Sequence, residues 1–272
     1  MDRSSSNSSF PSILLILALL TATGSFWYFE QPFQSSRPST AKVSEPTSFA
    51  ELVGIVANYL LNLAIPVAVI IIIYVFWYYD NQRLKALKRL AESLNFTFSK
   101  KGDESILEVL GRFHLFSQGH SRSISNVFSG VFNDIPVMVM DYKYTTGGGK
   151  SSHTWQQTVL AFESEKLLLP SFVLRPENLF DKIGGVFGKK DINIETAPVF
   201  SKRYLLRGDD EESIRKLFKE WVFQYYEQHP GLSTEGDGKK LIYYRSSKRV
   251  SPDKIRVFLQ EGYDVFGLFK GH

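Results

Sequence analysis

Residues 52–79 read LVGIVANYLLNLAIPVAVIIIIYVFWYY, twenty-eight positions without one charged side chain. A helix needs about 20 apolar residues to cross the hydrocarbon of a bilayer, so this run is long enough even when it is tilted. It closes on Phe76, Trp77, Tyr78 and Tyr79, aromatic rings of the kind that gather at the level of lipid headgroups. A buried core helix of this length would normally show a polar face. The run therefore predicts a transmembrane helix over residues 52–79.

A weaker apolar block occupies residues 10–29. Its purely aliphatic centre, residues 13–20, is short, as in a signal peptide, and Ala22-Thr23-Gly24 would serve as a cleavage site. The aromatic cluster at residues 26–29 instead indicates the interfacial end of an uncleaved helix. We predict a first hydrophobic segment over residues 1–29, either a transmembrane helix or a signal peptide.

Charges on either side of the main run predict its orientation. Arg83, Lys85, Lys88 and Arg89 follow it within ten residues, whereas residues 30–51 hold two basic and three acidic side chains. Basic residues are retained on the cytoplasmic side of a membrane. The prediction is a short extracytoplasmic loop over 30–51, a juxtamembrane amphipathic helix over 80–95, and a cytoplasmic domain over 96–272, all at the cell (inner) membrane.

Four residues of the predicted span recur every fourth position, Gly54, Asn58, Asn62 and Pro66, and so form one stripe. Pro66 has no N–H and leaves the carbonyl of Asn62 without its helical donor. Amides and a free carbonyl are costly in lipid. The stripe predicts a helix–helix contact in the membrane, with the first segment or with a second copy of the chain. The alternative is that each amide is satisfied locally.

Residues 96–272 contain segments with strand patterns and segments with helix patterns. Runs of predicted strands come first, and helices around a second hairpin follow, which predicts an α+β domain on an antiparallel sheet. Asp209 and Glu212 have the spacing of a helix-capping box. The predicted strands cover residues 123–133, 135–145, 153–163, 172–175, 200–207, 232–235 and 240–245; the predicted helices cover residues 103–110, a stripe from 214 to 225, and a last helix from Ser251.

Composition excludes several kinds of site. The chain has no cysteine, which removes disulfides, thiolate metal sites and cysteine nucleophiles. Residues 80–272 carry 29 basic and 24 acidic side chains, without the concentrated basic stripe that nucleic acid requires. No histidine pair has the helical spacing of a zinc site. Residues 146–151 (TGGGKS) lack the first glycine of a phosphate-binding loop and join two strands. We predict no nucleic-acid partner, metal or cofactor, and assign no catalytic residue.

The remaining candidates are cations. A tether holds the domain against an anionic leaflet, where each nearby Lys or Arg contributes about 1 kcal/mol. Lys150, Arg175, Arg203 and Arg207 are the candidate contacts for an anion or a lipid headgroup. We predict a membrane-anchored binding or scaffolding module rather than an enzyme. The alternatives are an enzyme acting on a lipid or phosphorylated substrate, through residues 209–212 or His153, and an accessory subunit of a membrane complex.

Three segments carry a family resemblance: residues 141–147 (DYKYTTG), 169–177 (LPSFVLRPE) and 200–211 (FSKRYLLRGDDE). Through them the chain, over about residues 95–270, resembles a family of bacterial membrane-anchored proteins known as a domain of unknown function. The resemblance implies a bacterial source and supplies neither an activity nor site residues.

Overall fold

The computed structural model describes residues 48–177 and 191–270. It divides into two units, residues 1–66 and residues 67–272. The predicted first hydrophobic segment and nearly all of the predicted external loop lie outside the described residues.

The first described helix, α1, covers Phe49–Ser93 without interruption, 45 residues with Pro66 inside. By length and composition it is the one described helix that could cross a membrane, and the protein buries none of its most apolar stretch. Its C-terminal turns, in contrast, are partly buried: Leu87 and Ala91 are 1% and 0% exposed and belong to the domain core. The apolar run thus continues directly into the helix that packs on the folded domain.

The domain is built on one eight-stranded sheet in the order β1-β2-β3-β4-β8-β7-β5-β6. Every neighbouring pair is antiparallel, which confirms the predicted α+β class on an antiparallel sheet. The strands are β1 (Thr97–Lys101), β2 (His120–Phe132), β3 (Ile135–Thr146), β4 (His153–Glu163), β5 (Leu169–Pro176), β6 (Tyr204–Gly208), β7 (Ser233–Gly238) and β8 (Lys240–Tyr244).

Helices cover both faces of this sheet, because successive side chains of each strand point to opposite sides. Val139 joins the larger core, with the end of α1 and the C-terminal helices; Met140 joins a smaller core beneath the helices that follow β1. The remaining described helices are α2 (Glu104–Leu110), α3 (His114–Ser117), α4 (Pro198–Arg203), α5 (Glu211–Leu217), α6 (Glu220–Gln228) and α7 (Ile255–Phe269).

The strand predicted over residues 200–207 is wrong in its first half. Residues 198–203 form α4, and the strand begins only at Tyr204. Pro198 occupies the first turn of α4, where its missing N–H costs nothing. Phe200 turns inward and packs on Phe223, with ring centroids 4.9 Å apart. The buried aromatic cluster overrides the strand pattern.

The single helix predicted from residue 214 onward is two helices, α5 and α6. Phe218 leaves the helical region, at φ −82° and ψ 93°, and its ring packs edge-on against Phe172 at 5.1 Å. The cap is also one residue later than predicted, since Asp210 rather than Asp209 accepts the Ser213 N–H at 3.0 Å. Burial of Phe218 therefore breaks a helix that the sequence pattern would continue.

The second hairpin turns later than predicted. Gly236 lies inside β7, and the chain reverses after Gly238, which has φ +59°. A Cβ atom at position 236 would clash with the Phe172 ring. That glycine therefore serves close packing in the sheet rather than the turn.

Candidate functional site

A buried ion pair fixes the end of α1 to the sheet. Asp141 on β3 is 6% exposed, and Nη2 of Arg83 donates to both of its carboxylate oxygens at 3.0 Å. Thr158 and Asn126 donate to the same carboxylate at 2.7 and 3.0 Å. The second guanidinium nitrogen of Arg83 donates to the carbonyl of Val250 at 2.6 Å. Buried charges are tolerated only when they are paired and hydrogen-bonded in this way.

Arg249, in the segment after β8, adds a second link to α1. Its guanidinium lies 3.4 Å from Asp141 and 3.8 Å from Asp80, one residue after the apolar run. Asp80 is largely exposed, with 74% of its side chain accessible, so its pairing with Arg249 is a weak surface contact. Arg249 therefore stands at the junction between the apolar run and the domain.

A cleft of about 410 Å³ opens at this junction, between α1 and the face of β2, β3 and β4. Its size lies within the range of small-molecule sites in proteins. Residues of α1, of β1 to β4 and of the segment after β8 line it, among them Trp77, Lys100, Ser123, Lys143, Gln156 and Arg249.

The cleft has an excess of positive charge. Asp141 is already neutralised by Arg83 and Arg249. Lys100 and Lys143 are exposed, and neither forms an ion pair with any residue of the described ranges. Lys100 and Lys143 thus line the cleft without an ion-pair partner among the described residues, and Ser123 and Gln156 line it beside them. The arrangement suits an anionic group with several acceptor oxygens, such as a phosphate.

The four cations predicted as anion contacts are not brought into one cluster. Arg175 on β5 and Arg207 on β6 are diagonal neighbours, since Val173 lies opposite Arg207; both are half-buried and have interactions of their own. Arg203 is exposed at the end of α4. Lys150 lies in the 3-10 turn Gly149–Ser151 between β3 and β4. β8 and β7 separate that hairpin from β5, so Lys150 belongs to another part of the sheet.

In the stripe predicted for helix contact, the two amides hydrogen-bond to each other along the helix, which is the alternative stated above. Nδ2 of Asn62 donates to Oδ1 of Asn58 at 3.3 Å along the helix. Gly54 has open space where a Cβ atom would stand, and Pro66 lies within the uninterrupted helix. A contact of this stripe with another helix stays a prediction.

The residues named for the enzyme alternative have structural partners. Asp210 caps α5, and hydrogen bonds from Ser213 lower its pKa. Glu211 pairs with Arg215 at 2.7 Å, and Glu212 pairs with Lys216. The ring of His153 packs edge-on against Trp155 at 4.5 Å. Within the described ranges, no group of three His, Asp or Glu side chains is placed to hold a metal ion.

A further buried carboxyl group, Glu235 on β7, was not predicted. It is 1% exposed, and it accepts hydrogen bonds from the Leu115 N–H at 3.1 Å and the Tyr244 hydroxyl at 2.9 Å. Burial raises its pKa to about 7, against the lowering effect of those hydrogen bonds and of Arg175. It ties α3 to the sheet beneath the smaller core.

Sequence reasoning also missed the cleft, because its residues come from segments far apart in the chain. One signal was present: Asp141 ends the apolar strand run VMVM, and acids inside such runs are normally buried with a partner. The partner itself, Arg83, lies 58 residues away and could not be identified from spacing.

No protein-family model matches the chain, and no curated protein matches it. The crystal structure of the mycobacterial trehalose monomycolate transport factor A, TtfA, is similar in fold: it is 12% identical with a TM-score of 0.47, over 68% of this chain and 91% of that one. At this distance nothing of that protein's role transfers to the present chain.

Proposed function

We propose that this chain is a membrane-anchored, non-enzymatic binding module that holds an anionic lipid headgroup at the cytoplasmic face of the cell membrane. The observation that carries the proposal is the position of the cleft. Lys100 and Lys143, which have no carboxylate partner among the described residues, line it together with Trp77, and Trp77 lies in the aromatic end of the apolar run.

The continuity of α1 supports a fixed height of the cleft above the proposed bilayer. No flexible linker separates the apolar run from the domain, and Arg83, four residues beyond Tyr79, is held by Asp141. At 1.5 Å per helical residue, Trp77 and Arg83 are about 9 Å apart along the axis. An aromatic ring at the headgroup level therefore forms one wall of a site for headgroups.

Electrostatics favour an anionic ligand over a zwitterionic one. Each cation close to an anionic leaflet contributes about 1 kcal/mol, and Lys100 and Lys143 supply two that Asp80 and Asp141 do not neutralise. The Ser123 hydroxyl and the Gln156 amide add neutral donors to the same wall. The ligand's phosphate would lie between the two ammonium groups, with its apolar part toward Trp77.

The test is a titration of the full-length protein in a neutral detergent. The probes are short-chain phosphatidylglycerol and phosphatidylcholine of the same chain length, at one salt concentration. Phosphatidylglycerol is expected to bind more tightly, and Lys100→Gln with Lys143→Gln is expected to weaken it roughly 10- to 30-fold, the equivalent of two lost charges. Lys85→Gln with Lys88→Gln, on exposed positions of α1 outside the cleft, is the matched control.

Equal affinity for the two lipids, or an equal loss in both double variants, would overturn the proposal. Glycerol 3-phosphate provides a third arm. If it binds as tightly as the lipid, the ligand is a soluble phosphate compound and the lipid assignment is wrong.

A further inference from the structure

The β3–β4 hairpin ends in a polar tip. The connection between Thr146 and His153 contains three glycines, two serines and Lys150, all exposed. No acidic side chain occurs anywhere in residues 142–162. At the base of the tip, Nε1 of Trp155 donates to the Thr146 hydroxyl at 2.9 Å.

The hairpin runs toward the apolar part of α1. Leu87 and Ala91 share a core with Val137 and Val139 at the start of β3. Further along, Arg83 pairs with Asp141, and Trp77 lines the cleft together with Lys143. Residues that come earlier in α1 thus lie beside residues that come later in β3. The two elements are antiparallel, so the tip after Thr146 points toward residues 67–79.

Element geometry sets how far the tip reaches. From Lys143 to Thr146 the strand advances about 10 Å. Along α1 that distance corresponds to about seven residues, or fewer if the helix and strand axes cross at an angle. With Lys143 near the level of Trp77, the tip reaches about the level of Ile70 to Ile72.

That level coincides with the edge of the bilayer in the proposed anchor. The 28-residue run is about 42 Å long as a helix, whereas a hydrocarbon core is about 30 Å thick. About eight residues therefore lie in the headgroup region, and the aromatic cluster at residues 76–79 indicates that the excess is at this end.

We infer that the β3–β4 tip rests on the phospholipid headgroups as a second contact between the domain and the membrane. This inference rests on the proposed membrane anchor. Backbone N–H groups of the glycines, the serine hydroxyls and the Lys150 ammonium group are all donors to phosphate oxygens. A tip held there also bounds the cleft on its membrane side.

The absence of cysteine allows a direct test with single-cysteine variants of the full-length chain. Gly148→Cys places a label at the tip, where the backbone is extended and no atom lies within 4 Å of the new Cβ. Val131→Cys, 62% exposed at the opposite end of the β2–β3 pair, is the distant control. Ile72→Cys, 54% exposed, reports on the apolar run.

Each variant is labelled with an environment-sensitive fluorophore and reconstituted into mixed phosphatidylcholine and phosphatidylglycerol vesicles. The quencher is phosphatidylcholine with a nitroxide on its headgroup. Quenching at position 148 is expected to match that at position 72 and to exceed that at position 131 several-fold.

The two possible failures are distinguishable. Equal, weak quenching at positions 148 and 131, with strong quenching at 72, overturns the tip contact and leaves the anchor intact. Weak quenching at position 72 overturns the anchor, and the tip contact falls with it.

Discussion

Glu235 shows at the scale of one residue how burial is converted into pH dependence. The pKa of this carboxyl group is raised to about 7 in the folded protein, mainly by desolvation, from its ordinary value of 4.5. Between those values the folded state keeps a proton that the unfolded state releases. The contribution of this group to stability is therefore greatest below pH 4.5, and it is lost as the pH rises through 7.

We expect Glu235→Gln to remove this loss. The amide oxygen still accepts from the Tyr244 hydroxyl or the Leu115 N–H, and no charge has to be buried. The free energy of unfolding of the domain is measured by denaturant titration of the full-length protein in detergent at pH 5 and pH 8. Its decrease between the two pH values should be smaller in the variant than in the unmodified protein, by roughly 2–3 kcal/mol. Exposed Glu108→Gln is the control. The same pH dependence in all three proteins would contradict the prediction.

At the scale of elements, the Arg83–Asp141 pair holds α1 to the sheet together with the buried side chains of Leu87 and Ala91. Loss of Arg83 leaves Asp141 with only the longer contact to Arg249, at 3.4 Å, so the cost should approach the roughly 3 kcal/mol of a broken buried ion pair. Arg83→Met should lower the free energy of domain unfolding by that order. Lys216→Met, which removes the exposed pair with Glu212, should cost well under 1 kcal/mol. Comparable losses in the two variants, measured by denaturant titration, would show that the pair is not a structural link.

Elements with strong local signals could be predicted from the sequence, and those decided by tertiary packing could not. The predicted strands over residues 123–133 and 135–145 form the first hairpin, and the observed strands β2 and β3 meet at the same point, with Phe132 opposite Ile135. The break at Phe218 depends on the ring of Phe172, 46 positions earlier in the chain. The local sequence pattern around residue 218 therefore could not predict it. The cleft was missed for the same reason, since Lys100, Lys143 and Arg249 meet only when four strands and α1 are assembled.

At the scale of the whole molecule, the proposed function depends on which side of the membrane the domain occupies. The charge difference between residues 80–89, with four basic side chains, and residues 30–51, with two, predicts a cytoplasmic domain. The same leaflet that retains those basic residues carries the anionic lipids that Lys100 and Lys143 would bind. The predicted orientation and the proposed ligand thus depend on the same difference in charge.

We therefore expect Val131→Cys to react with a membrane-impermeant maleimide only after cells are permeabilised, and Ser44→Cys, in the predicted external loop, to react in intact cells. Reaction with the denatured proteins controls for the reactivity of each thiol. The reverse pattern would place the domain outside. Lys100 and Lys143 would then face the leaflet that lacks this negative surface potential, and an anionic headgroup would lose its electrostatic advantage as the ligand of the cleft.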